Sequence, residues 1–162
     1  MKGIKSNAHY LGAVIVEGVR PHSPREVKRF LIIDGQQRLT TLQIVFCAYR
    51  DIARKANWKT LDRATTRYIE NSDIDVMEHP DQEKYKLWST TLNRSVFADI
   101  ISAGDAEVVE KKYPVIKLKR RRYPEPRNSL VEAYVYFHNQ INTWITETAA
   151  ALGDRDAVSR ER

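Results

Sequence analysis

The chain has 162 residues, enough for one domain with its own core, and a single cysteine, so no disulfide framework can form. Hydrophobic residues make up 42% and charged residues 30%, the balance of a folded globular protein rather than a disordered one. The net charge is +6, yet residues 111–127 alone sum to +7, with eight basic residues and one glutamate, so the basicity is local.

No apolar run reaches the roughly 20 residues of a membrane span, and the first residues, MKGIKSNAHY, lack the apolar core of a signal peptide. With the lone Cys47, this predicts a cytoplasmic protein without a membrane partner. His9, His22, His79 and His138 are too scattered to form a metal site, and none is expected.

In chain order, HYLGAVIV (9–16) predicts a strand from its apolar and β-branched content. EGVRPHSPREV follows as a loop, and KRFLIID (28–34) as a second, more continuously apolar and therefore buried strand, pairing with the first as a long-looped hairpin. Asp34 then has the character of a helix N-cap, with Gln37 at the third position of a capping box. Leu42, Val45, Phe46, Tyr49, Ile52 and Ala53 follow at helical spacing and predict an inward face. A second helix is expected over 60–71, a short strand or extended link at EKYKLWS, and a helix over TLNRSVFADIISAG that Gly104 ends. The proline-punctuated basic segment comes next. Ser129 and Glu132 form a second capping-box pattern, and Leu130, Tyr134, Phe137, His138, Ile141, Trp144 and Ile145 recur at helical spacing, predicting a helix over about 130–152. The polar end, GDRDAVSRER, is expected to fray. Two strands followed mostly by helix predict an α+β fold.

The turn DGQQR (34–38) carries the chemistry. A strand that runs into a helix leaves the first-turn N–H groups unpaired, and with the helix dipole they favour an anion. Gly35 lets a ligand approach the backbone, and Arg38 offers a planar fork of donors suited to phosphate. Gln36 and Gln37 could orient a water or read polar ligand edges; Asp34 could cap the helix or accept a bond from a metal-bound water. These residue types alone fit an ordinary strand-to-helix turn as well, since neither a P-loop nor a G-x-G-x-x-G spacing is present.

IIDGQQRLTTLQ closely resembles the signature of the GmrSD-type restriction endonuclease N-terminal domain family. Upstream, HYLGAVIV resembles the strand before that signature. Downstream, KYKLWSTTLNRSVF resembles a second family marker, K-L-x-P-T-x-x-D-R-x-x-F, with Ser89 in place of the proline and Asn93 in place of the aspartate, and SLVEAYVYF resembles a later helix. The resemblance implies a ParB- and sulfiredoxin-like core in which Gly35 and Arg38 form a G-x-x-R phosphate-contacting turn. It implies a domain of a modification-dependent DNA restriction system used in phage defence, binding and hydrolysing a nucleoside triphosphate (GTP or ATP) with magnesium. Asp34, Gly35, Gln36, Gln37 and Arg38 would hold the nucleotide, with Asp34, Gln36, Gln37 and Arg38 also serving catalysis. DNA would be the partner, cut by an HNH nuclease domain or subunit supplied elsewhere. The second expectation from the same resemblance is a ParB-like DNA-binding or regulatory module without turnover.

The family carries a Q-R-x-Y/F-x-W-like segment before the first strand that does not occur here, and no HNH-like histidine cluster follows Trp144. The expected organisation is therefore one domain over 1–152, incomplete at its N-terminal end, with a basic loop at 111–127, a polar tail at 153–162 and no nuclease active site. Within the basic loop, Lys119, Arg120, Arg121 and Arg122 are candidate nucleic-acid contacts, against the plainer reading of a solvated charge run. His138, Cys47, Trp88 and Trp144 are expected to be core side chains. Lys86 and Arg94, in the second marker, either approach the ligand or serve as ordinary surface cations.

Overall fold

A computed structural model describes residues 11–21, 23, 26–72, 75, 77–88, 91–117 and 124–160, without the side chains of Thr91 and of 151–160. The fold is α+β: one two-stranded antiparallel sheet and a helical body. β1 (Ile15–Val19) pairs with β2 (Arg29–Asp34), with Ile15 opposite Asp34, Val19 opposite Arg29, and a bulge between Ile15 and Val16. The hairpin is the expected one, but β1 starts later than 9–16. Gly12 has φ +89°, outside the extended region, and Leu11–Val14 therefore run as irregular backbone against the site.

Burial of the second strand is corrected as well. Phe30, Leu31 and Ile33 of β2 are more than half exposed, and only Ile32 packs against the helical core. A two-stranded ribbon has two faces, and among the described hydrophobic side chains of the two strands only Ile32 turns toward the helices.

The body is built on α1 (Gln36–Lys55), which packs against α2 (Lys59–Ile69) and α6 (Ser129–Arg160). Between them in sequence lie α3 (Pro80–Glu83), a 3-10 turn (Thr91–Asn93), α4 (Arg94–Ala103) and α5 (Ala106–Lys112). Gly104 ends α4 in the left-handed conformation, as expected. The link at EKYKLWS meets Glu70 through an isolated bridge at Tyr85. The buried face of α1 is Thr40, Ile44, Cys47, Ala48, Asp51 and Ile52, with Arg50 and Ala53 beside it. Of the predicted inward set only Ile52 and Ala53 are fully buried, because α1 meets two helices and its inward stripe is centred elsewhere. Phe46 lies at the edge of the core, stacked on Tyr68 with ring centroids 4.9 Å apart.

That stripe contains charge. The Arg50 and Asp51 side chains are 1% and 0% exposed and pair at 2.8 Å. Arg50 also donates to the Ile101 carbonyl of α4 at 2.6 Å, and Tyr134 of α6 donates its hydroxyl to Asp51 Oδ2 at 2.6 Å. One buried polar network thus ties three helices together, and burial beside Asp51 pushes the Tyr134 phenol well above its ordinary range. Cys47 is a small buried side chain, as expected, its thiol pushed up to about 12 by burial.

Both predicted caps move by one residue. Asn128, not Ser129, caps α6: its Oδ1 accepts from Leu130 N–H at 2.9 Å, while Glu132 turns to Arg127. Its Nδ2 donates to Asn93 Oδ1 at 2.9 Å, so Asn93 joins the start of α4 to the start of α6. His138 is buried and contacts Asn142 at 3.3 Å, a core histidine as expected. Trp144 is 59% exposed and not a core residue, and α6 continues to Arg160 rather than fraying at Leu152. α5, which the sequence did not announce, is capped by Asp105. Its carboxylate accepts from Glu107 N–H at 3.0 Å and pairs with Lys55 at 3.2 Å.

Candidate functional site

β2 ends at Asp34, and Gly35 joins it to α1 with φ +96°. A Cβ on Gly35 would lie 2.9 Å from Val14 Cγ2 and 3.3 Å from Val14 Cα, so both the dihedral and the space demand glycine. Gly35, not Asp34, is the N-cap. The first helical bond runs from Leu39 N–H to the Gly35 carbonyl at 3.0 Å. The amides of Gln36, Gln37 and Arg38 receive no side-chain cap, and no acidic residue sits in the first turn. Among the described residues these three N–H groups are unpaired, at the positive end of a 20-residue helix.

The Asp34 carboxylate has another partner. Arg38 Nη2 donates to Asp34 Oδ2 at 2.8 Å, one turn along the helix. The same guanidinium lies against the backbone of Gly12, occupying the place where a Cβ would stand. The predicted capping box is therefore replaced by an Asp34–Arg38 ion pair resting on Gly12. Gln37 is exposed, and its carbonyl accepts from Thr41 Oγ1 at 2.9 Å.

Gln36 faces elsewhere. It lines a cleft of about 760 Å³ between the hairpin and residues 79–88, together with Lys28, Arg29, His79, Lys86 and Trp88. Arg29 is paired with Glu26, whereas Lys28 and Lys86 have no carboxylate partner among the described residues. Trp88 meets Tyr85 edge-on, with centroids 5.1 Å apart, and Arg94 lies 4.8 Å over its ring. Lys86 thus reaches the cleft, while Arg94 supports its aromatic wall.

The five residues of the turn are adjacent, but only Gln36 is in the lining of the cleft; Asp34, Gly35, Gln37 and Arg38 are not. Lys119, Arg120, Arg121 and Arg122 lie outside the described residues. Sequence reasoning missed Gly12, Lys28 and Arg29. The signal for Gly12 was an isolated glycine inside an apolar run, a mark of close backbone approach. For Lys28 and Arg29 there was none, since they read as the polar start of a strand. Among the described residues no three His, Cys, Asp or Glu side chains are grouped to hold a metal, and no helix is long and apolar enough to cross a membrane.

Comparison with curated proteins and with solved structures finds no match. The family model of the GmrSD restriction endonuclease N-terminal domain matches residues 3–158, nearly the whole chain. The DGQQR turn and the helical body behind it therefore lie inside one family match, and the chain belongs to the GmrSD restriction endonuclease N-terminal domain family.

Proposed function

We propose that the chain is the nucleoside-triphosphate-binding domain of a modification-dependent DNA restriction system, acting in phage defence. The observation that carries this reading is a cleft of nucleotide size that borders Gln36 in the first turn of α1, and of whose three cations Lys28 and Lys86 have no carboxylate partner among the described residues. In this reading the phosphates occupy the three unpaired amides of that turn, where the helix dipole favours negative charge. Arg38 leaves Asp34 to meet them, giving up an exposed ion pair worth no more than about 1 kcal/mol for a stronger charge-assisted bond to phosphate. Trp88 and Tyr85 offer aromatic surface to the base.

The residues present fit a magnesium–nucleotide rather than a dedicated metal cage. Magnesium is held mainly by phosphates with one or two carboxylates, and Asp34 is the carboxylate beside the turn. When bound, the ion neutralises charge on the phosphate oxygens. Gln36, which lines the cleft, would orient a water toward the phosphates, and hydrolysis belongs to the proposal on that ground. DNA cleavage belongs to an HNH nuclease supplied elsewhere.

The test is calorimetry with GTP and with ATP in magnesium. A charge-assisted bond to phosphate contributes roughly 1.5 to 3 kcal/mol, so Arg38→Ala should weaken binding by about one to two decades. Equal affinity in the variant and the parent would remove the proposal. Binding without phosphate release would instead favour a regulatory module that does not turn over.

A further inference from the structure

We propose a second anion site, separate from the turn: the cleft along α2 binds the phosphate backbone of a nucleic acid. The cleft measures about 1060 Å³, and its lining carries five cations against two carboxylates. One of each is already paired, because Arg54 donates to Asp62 at 2.9 Å and to Thr66 at 3.3 Å. Lys59, Arg63, Arg67 and Lys86 have no carboxylate partner among the described residues, and all four are exposed. Glu70, half-buried, is the one remaining acid in the lining.

The arrangement selects an extended ligand. Lys59, Arg63 and Arg67 stand at i, i+4 and i+8 on α2, so they form a single row with steps of about 6 Å along the axis. A row of some 12 Å exceeds one phosphate group and follows a chain of them. Two of the three are arginines, whose planar fork matches phosphate oxygens. Solvated helix surfaces ordinarily intersperse acids with their bases; here the one acid on α2, Asp62, is held by Arg54. Val27, Asn71 and Lys86 line this cleft and the one beside Gln36, so the two adjoin at Lys86. The inference does not depend on the nucleotide reading, because none of the three α2 cations belongs to the first cleft.

The experiment measures affinity for a fluorescent 30-base-pair duplex against salt concentration, for the parent and for Lys59→Ala/Arg63→Ala/Arg67→Ala. Each neutralised phosphate contributes about −0.9 to the slope of log affinity against log salt, so the triple variant should be flatter by about 2.7. The three side chains are exposed, and an unchanged thermal midpoint and unchanged GTP and ATP affinities would show that fold and first cleft are intact. An unchanged slope in a folded variant would overturn the proposal. So would equal binding of polyglutamate of matched charge, which would assign the row to an acidic protein. Loss of the slope difference and loss of nucleotide binding are separate readouts, so the two proposals fail independently.

Discussion

Removing Asp51 tests what holds the helices that carry the site. Its carboxylate accepts from Arg50 at 2.8 Å and from the Tyr134 hydroxyl at 2.6 Å, with no exposure to water. In Asp51→Ala, Arg50 keeps only the Ile101 carbonyl and is left as a buried cation without a counter-charge. Breaking a buried pair by deleting one partner costs about 3 to 5 kcal/mol, a large share of the roughly 5 to 15 kcal/mol of a whole domain. Tyr134→Phe removes a hydrogen bond to a charged group and should cost about 1.5 to 3 kcal/mol. The two changes should not add. In the Asp51→Ala background the Tyr134 hydroxyl is already an orphan, so converting it to phenylalanine removes a liability. The double variant should match the stability of Asp51→Ala or exceed it slightly. Urea unfolding of all four proteins, followed by far-UV circular dichroism, measures the cycle. Additivity to within about 0.5 kcal/mol, the agreement found for independent sites, would refute the shared-network reasoning.

Gly12→Ala should lower stability by about 1 to 2 kcal/mol for its left-handed backbone alone and displace the Arg38 guanidinium. Gly18→Ala, whose nearest neighbour would be Phe30 at 3.9 Å, should change urea stability far less. Cys47 should react with a thiol reagent at pH 8 only as fast as the domain opens, since its thiol is buried and shifted to about 12; labelling in native buffer at the rate of a free thiol would contradict this. Asp105→Ala should cost about 1 kcal/mol at neutral pH through loss of the α5 cap. The bond from Glu107 N–H, with Lys55 beside it, holds the native Asp105 carboxyl below its unfolded value. Its contribution is thus complete above about pH 4 and disappears as pH falls through the lower native value. Thermal melts of parent and variant should converge in acid.

The hairpin, the helix after DGQQR and the long C-terminal helix were legible because each rests on a local pattern: β-branched runs, a glycine turn, and apolar residues at helical spacing. Cap positions were off by one residue, since Asp34 and Ser129 suit an N-cap as well as Gly35 and Asn128 do. Which one serves depends on backbone dihedrals and on partners such as Arg38 and Asn93. The Arg50–Asp51 pair was hidden for a different reason. Charged residues read as surface, although Ile44, Cys47, Ala48 and Asp51 share the i, i+3, i+4, i+7 spacing of one face. The cleft beside Gln36 joins residues about 50 positions apart, and such contacts have no local signature.

The hairpin described above has a consequence for how the turn behaves in time. Its strands contribute one side chain, Ile32, to the core, whereas α1 is anchored along its length. Local opening of the ribbon therefore sacrifices little buried area, and its amides should exchange with deuterium well before those of α1. Gly35 is the boundary between a segment that opens readily and one that opens only with the domain. Any ligand gripping the Gln36–Arg38 amides while touching Lys28 and Arg29 would stitch the two together, and slowed exchange across 29–34 would report it.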